Sequence, residues 1–369
     1  MEAMVLRERP GWRQALVRAV TATTRSLAAP IGAAVAVLGA GRLFTLWFWR
    51  RAAHLHPPAG IFVTVDGRRL HLVDRGPAGR PPDAAGPRPA SPAPDTPAAD
   101  DPPSARLDAP PTVVLVHGLR GSSAEFTFSI VDRLAERYRV LAVDRPGYGA
   151  SDLLRRRTGA PSAQARALHA ALGRLGVERP VLVGHSIGAA LVMAYAVAYP
   201  DELGAAVTLS GHTLPFDGEF GSTTRLAELP VLAPLLLNTL ATPLGLLAGP
   251  RILRQALSPQ TPPPGYTAAA LRSALQPKAF RAAADDVREC DRDMRTFFAH
   301  YGELTMPFVL VTGADDRHIS PNESLTLHRL LRHSELREIE GSGHMPFFAD
   351  PDAVVAAVDR ACELARAGT

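Results

Sequence analysis

The chain has 369 residues, 46% hydrophobic and 21% charged, with a formal net charge of +4. That is length for one large or two modest domains and an ordinary balance for a folded body. Lys278 is the single lysine and no basic stripe with interleaved aromatics occurs, so nucleic acid is not an expected partner. Cys290 and Cys362 lie far apart without CxxC spacing and the histidines show no HExxH pattern, so neither a disulfide framework, a metal nor a cofactor is expected.

In chain order, residues 1–26 form a basic segment carrying Arg7, Arg9, Arg13, Arg18 and Arg25. Residues 27–49, LAAPIGAAVAVLGAGRLFTLWFW, are apolar apart from Arg42 and Thr45. That run meets the ~20-residue requirement for a helix crossing a bilayer. Trp47 and Trp49 fall where indoles favour the headgroup level, Arg50 and Arg51 follow, and Arg42 is near enough to that end to snorkel outward. The expectation is a membrane anchor with lipid as its partner; the arginines before the span favour an inside N-terminus, and Arg50 and Arg51 dilute the bias. A cleaved signal peptide is the rival, although the apolar run continues past Gly39-Ala40-Gly41. A third reading is a helix belonging to a cytoplasmic or secreted globular body.

Residues 60–211 read as the first part of a folded core. FVTVDGRRLHLVDRG predicts two short strands about an Asp66-Gly67 turn. Residues 76–111 hold 12 of the 34 prolines, too little apolar surface to offset the entropy of ordering, and read as an extended insert interrupting one domain. From there strands alternate with helices. Strands are expected at 112–118, 138–144, 179–185, 203–211, 306–313 and 335–343, with helices at 126–137, 162–176 and 186–200 between them. Nearly all-apolar strands alternating with helices specify an α/β fold, a mostly parallel sheet covered on both faces, whose ligands bind beyond the carboxyl ends of the strands. The residues emerging there include His117, Ser186, the adjacent Asp315 and Asp316, and His344.

Gly184-His185-Ser186-Ile187-Gly188 fits G-x-S-x-G, in which a tight strand-to-helix turn lifts the serine hydroxyl and leaves no room for a Cβ at either glycine. A serine needs an imidazole to take its proton, and the imidazole needs a carboxylate to hold its tautomer. His344, flanked by Gly341 and Gly343 and followed by Pro346, sits in a loop built to present it. Residues 212–306 interrupt the alternation before the penultimate strand, and 307–369 complete the core. Leu229 to Gly249 is long and apolar enough to imitate a second span, but Pro230, Pro234, Pro243 and Asn238 argue for short helices instead.

VHGLRGSS, DRPGYGASD, VGHSIGAA, VTGADDRHISP and GSGHMPFFADP, in this order and spacing, resemble the α/β-hydrolase superfamily. The resemblance implies the chain order Ser186, Asp316, His344 for nucleophile, acid and base; Gly313, Asp316 and Ile319 match the family's acid motif, and Asp315 is one position early. It implies an oxyanion hole of the Leu119 and Ile187 backbone N–H groups, with His117, Gly118, Gly184 and Gly188 supporting the loops. It also implies that 212–306 is a helical cap. Asp144 to Gly149 reads as structural. With serine in the elbow, the epoxide chemistry that Tyr266 and Tyr301 would otherwise suggest is disfavoured. The leading expectation is an esterase or thioesterase acting on a lipophilic small molecule, with no obligate protein partner. The alternatives are a carbon–carbon bond hydrolase or perhydrolase with the same triad, and a non-catalytic binding protein on the same scaffold.

Overall fold

The apolar runs pair into one eight-stranded sheet. In this computed structural model, which describes residues 12–76, 110–216 and 232–368, the strands are β1 (Ile61–Val65), β2 (Arg68–Arg75), β3 (Val113–Val116), β4 (Val140–Val143), β5 (Val181–His185), β6 (Ala205–Leu209), β7 (Phe308–Gly313) and β8 (Ser334–Ile339). Their spatial order is β1-β2-β4-β3-β5-β6-β7-β8. Only β2 runs against its neighbours; the six strands from β4 to β8 are mutually parallel. Asp66 and Gly67 form the first turn at φ of 50° and 71°, the left-handed pair that matches the twist of a two-residue hairpin. The strands on either side of the proline-rich insert, β2 and β3, both pair with β4. The insert itself, residues 77–109, lies outside the described residues.

Successive side chains on a strand point to opposite faces, so each central strand serves two cores. Val114, Val116, Leu141, Leu182, Ala206 and Leu310 face one core; Val113, Leu115, Val140, Val183, Val207 and Val309 face the other. The first is closed by α4 (Pro161–Arg174), α5 (Ile187–Ala198) and the last turns of α9 (Pro277–Phe297). The second is closed by α2 (Ala124–Thr127), α3 (Val131–Ala135) and α12 (Pro351–Ala367). The single helix expected over 126–137 is two short ones. Ser129 Oγ donates to the carbonyls of Glu125 (2.8 Å) and Phe126 (3.3 Å), a local bond that competes with continuation of the helix.

Between β6 and β7 the described chain forms α6 (Leu232–Thr239), α7 (Ala241–Ala256), α8 (Tyr266–Ala274) and α9; residues 217–231 lie outside the described residues. The apolar stretch that imitates a span is broken at Leu240 into α6 and α7. Helix α1 (Trp12–Leu55) is longer than the 27–49 expected, and its apolar portion, Pro30–Leu55, is long enough to cross a bilayer and is largely exposed, with Thr45 buried. Arg42 does not reach outward alone: its Nη1 donates to Asn238 Oδ1 on α6 at 3.1 Å. α10 (Pro321–Leu330) and the short α11 (Pro346–Ala349) flank the last two strand-end loops.

Candidate active site

Three loops at the carboxyl edge of the sheet converge. Ser186 follows β5 and precedes α5 with φ 52° and ψ −124°, a conformation that costs a non-glycine residue about 1–3 kcal/mol and is held only by its surroundings. Here the surroundings are backbone bonds: Ser186 N donates to Leu209 O (3.0 Å), and Ser186 O accepts from Ala189 N (3.0 Å) and His212 N (2.9 Å). The glycines beside it are required by close approach. A Cβ on Gly184 would lie 2.6 Å from Ala189 Cα, and one on Gly188 would collide with the Val116 and His117 carbonyl oxygens.

His344, between β8 and α11, places Nε2 3.0 Å from Ser186 Oγ and Nδ1 2.8 Å from Asp316 Oδ2. Asp316 lies just past β7, and its other oxygen accepts from the amides of His318 (2.8 Å) and Ile319 (3.1 Å). Asp316 is buried whereas Asp315 is exposed, so the acid motif and the geometry select the same carboxylate. A Cβ on Gly313 would strike the Ser342 and Gly343 carbonyls, which is how closely the loops of Asp316 and His344 pack. Burial alone would raise the Asp316 carboxyl; the imidazole and the two amides hold it below its ordinary value. Burial lowers His344 below its ordinary 6.5 and the charge of His185 adds to that, while Asp316 offsets only part. A neutral imidazole bonded on both sides can receive the serine proton.

Gly118, after β3, abuts the elbow: a Cβ there would sit 3.1 Å from Ser186 Cβ. Leu119 follows Gly118 in the chain, and Ile187 opens α5 directly after Ser186. His117 lies beneath with Nδ1–H donating to Gly118 O (2.8 Å) and Nε2 accepting from Arg145 N (2.9 Å). Burial, aided by Arg145, brings that imidazole down to about 4, so it stays neutral.

Sequence reasoning passed over four side chains that brace these loops. His185 Nδ1 meets Glu125 Oε2 at 2.8 Å and its Nε2 meets the His344 carbonyl at 2.9 Å, while Glu125 Oε2 also accepts from Gly118 N at 3.2 Å. One buried pair thus touches the elbow, the Gly118 loop and the His344 loop. Burial would raise the Glu125 carboxyl, and His185 beside it more than reverses that. Arg145, 1% exposed, donates to His117 O (2.9 Å), Gly118 O (3.0 Å), Gln164 Oε1 (3.1 Å) and Asp286 Oδ2 (2.8 Å). Through Arg145 and Tyr148, which both bond Asp286 on α9, the Asp144–Gly149 loop ties the strand-end loops to the helices between β6 and β7. Among the described residues no group of three His, Cys, Asp or Glu side chains is arranged to hold a metal ion, and Cys290 and Cys362 are buried free thiols.

Two cavities adjoin α1. One of about 920 Å³ is walled by Trp49, Arg69 and Lys278 and, on the side of the Gly118 loop, by Ser122 and Ser123. The other, about 660 Å³ and mainly apolar, runs between Trp47, Phe48 and Leu55 on α1 and Leu246 and Leu271 on α7 and α8.

Comparison with known proteins agrees with this architecture. A family model described as alpha/beta hydrolase fold matches residues 111–351. An uncharacterized protein of Mycobacterium tuberculosis is 28% identical over 261 residues, covering 68% of this chain and 74% of that protein. A 2-hydroxy-6-oxononadienedioate/2-hydroxy-6-oxononatrienedioate hydrolase of Cupriavidus pinatubonensis is 27% identical over 252 residues, 63% of this chain and 80% of that one. An esterase from Exiguobacterium antarcticum superposes with a TM-score of 0.60 at 17% identity, covering 82% of this chain and 99% of the esterase. With sheet order, strand-end loops and a family match over well over half its length in agreement, the chain belongs to the α/β-hydrolase fold family of enzymes.

Proposed function

We propose that this hydrolase cleaves a carboxylic ester or thioester of a lipophilic small molecule through an acyl-enzyme on Ser186. The single observation that carries the reading is the unbroken chain of contacts from Ser186 Oγ through His344 to Asp316, at 3.0 and 2.8 Å. His344 Nε2 takes the serine proton as Oγ attacks the carbonyl carbon, and Asp316 holds the Nδ1–H tautomer and steadies the imidazolium. The Leu119 and Ile187 N–H groups receive the developing oxyanion, a role in which one donor is typically worth about 3–4 kcal/mol. His344 then returns the proton to the departing alcohol or thiol. Water, deprotonated by the same nitrogen, releases the carboxylic acid and regenerates the serine.

The test is turnover of p-nitrophenyl esters of graded chain length. Ser186→Ala is expected to lower it ~10⁴-fold or more, and an undiminished rate would overturn the covalent route. A second reading, cleavage of a carbon–carbon bond beside a carbonyl by the same residues, draws support from the similarity to the Cupriavidus hydrolase. Faster turnover of a 2-hydroxy-6-oxo-dienoate than of any ester would favour it.

We read α1 as a membrane span retained in the folded protein. It is bonded to the α6–α7 region through Trp49 Nε1, which donates to Thr242 Oγ1 at 3.2 Å, a contact that a cleaved signal peptide would not keep. Carbonate-washed membranes should hold the protein; its release to the supernatant would count against the span.

A further inference from the structure

The proposed span does not stand clear of the body. A Cβ on Gly41 would lie 3.4 Å from the Leu240 side chain and collide with the Thr239 carbonyl. Thr45 Oγ1 donates to Thr239 O at 3.4 Å, and Arg42 and Trp49 bond to Asn238 and Thr242. Farther along, Leu55 and His56 share the apolar groove with Leu246 and Pro250. Helix α7 therefore runs beside the last third of α1 in the same direction, and the α6–α7 corner meets α1 at residues 41–45.

This fixes a depth. Trp47 and Trp49, followed by Arg50 and Arg51, mark the headgroup level on α1. At 1.5 Å per residue, positions 41–45 lie about 6–12 Å from Trp49 toward the hydrocarbon. That is the immersion, ~5–10 Å, of helices that lie in a membrane interface. The chemistry of the corner agrees. Residues 232–250 carry no charged side chain. Leu235 and Leu244, the exposed leucines nearest the corner, are 42% and 57% exposed, where a helix covering a soluble core would turn them inward. Arg42 and Asn238, polar side chains in otherwise apolar stretches, are bonded to each other, as side chains in a medium without water require. Arg251 and Arg254 come at the far end of α7, where its chain leaves that level.

We infer that the α6–α7 hairpin is a lipid-contacting surface, dipping into the same leaflet as the end of α1 and holding the helices over the active site at the bilayer. The inference rests on the reading of α1 as a span, and one experiment separates the two. The full chain, carrying Leu235→Cys, Leu244→Cys, Val35→Cys or Leu330→Cys one at a time, is labelled with an NBD fluorophore and reconstituted in phosphatidylcholine vesicles with or without doxyl-labelled lipid. Each variant is used only if it melts with the parent. NBD at 235 and 244 should be quenched at least twofold, with 35 quenched as the span control and 330, on α10, unquenched. Quenching at 35 but not at 235 and 244 would overturn the hairpin contact and leave the span standing. No quenching at 35, 235 and 244 would overturn both.

Discussion

Replacing Asp286 with alanine removes the only carboxylate that, among the described residues, bonds a guanidinium with almost no access to water. Arg145 and Asp286 are each 1% exposed, and the carboxylate also accepts from Tyr148 Oη (2.7 Å) and Gln164 Nε2 (3.1 Å). The variant leaves a buried positive charge unneutralised and two donors unsatisfied. Breaking a buried pair from one side costs about 3–5 kcal/mol. At roughly 2–4 °C per kcal/mol for a domain of this general size, melting should fall by about 6–20 °C. Asp286→Asn keeps an acceptor for Tyr148 and should fall between the variant and the parent. Because Arg145 also clasps the His117 and Gly118 carbonyls, the surviving folded fraction should lose kcat more than KM, the signature of a displaced oxyanion donor. Calorimetry and steady-state ester kinetics read both effects. An Asp286→Ala protein melting within about 3 °C of the parent, less than ~1–2 kcal/mol of change, would refute the role given to this pair.

Two further predictions concern charge. The imidazole of His344 must be neutral to accept a proton, so ester kcat/KM should rise with pH about a midpoint below 6.5. His185→Gln removes an imidazole that contributes to lowering His344 and should move that midpoint upward; an unchanged or lower midpoint in the pH–rate profile would contradict the assignment. Asp144 is buried among His71 Nδ1 (2.8 Å) and the amides of Ser123 and Ala150 (2.8 Å each), and these hold its carboxyl at about 2 against an ordinary 3.8. Such a depressed group contributes roughly 2–3 kcal/mol above pH ~4, lost as pH falls toward 2. Asp144→Asn should therefore destabilise the protein by at least that amount at pH 7 and flatten its acid limb in denaturant titrations, and a variant that denatures like the parent at both pH values would refute it.

Much of this was legible in the chain because the signals are local. The all-apolar strands, the Asp66-Gly67 turn and the glycines of the elbow each declare themselves within a few residues, and Ser186, Asp316 and His344 emerge at one sheet edge because parallel topology puts them there. The bracing groups were not legible for the opposite reason. Glu125 and His185 are 60 residues apart, and Arg145 and Asp286 are 141 apart; a carboxylate inside a short helix carries no mark of burial until its partner arrives. A buried arginine in the Asp144–Gly149 loop would have been the one available hint, since such a charge demands a carboxylate somewhere. Arg42 shows the same limit: its neighbours alone point it toward water, and Asn238, far along the sequence, gives it a nearer partner.

The most direct measurement of the central claim is covalent. The full chain, treated with a fluorophosphonate and digested, should carry stoichiometric adduct on the peptide containing Ser186, and His344→Ala should abolish the labelling. An unlabelled parent, or label on any other serine, would contradict the nucleophile and with it the acyl-enzyme route.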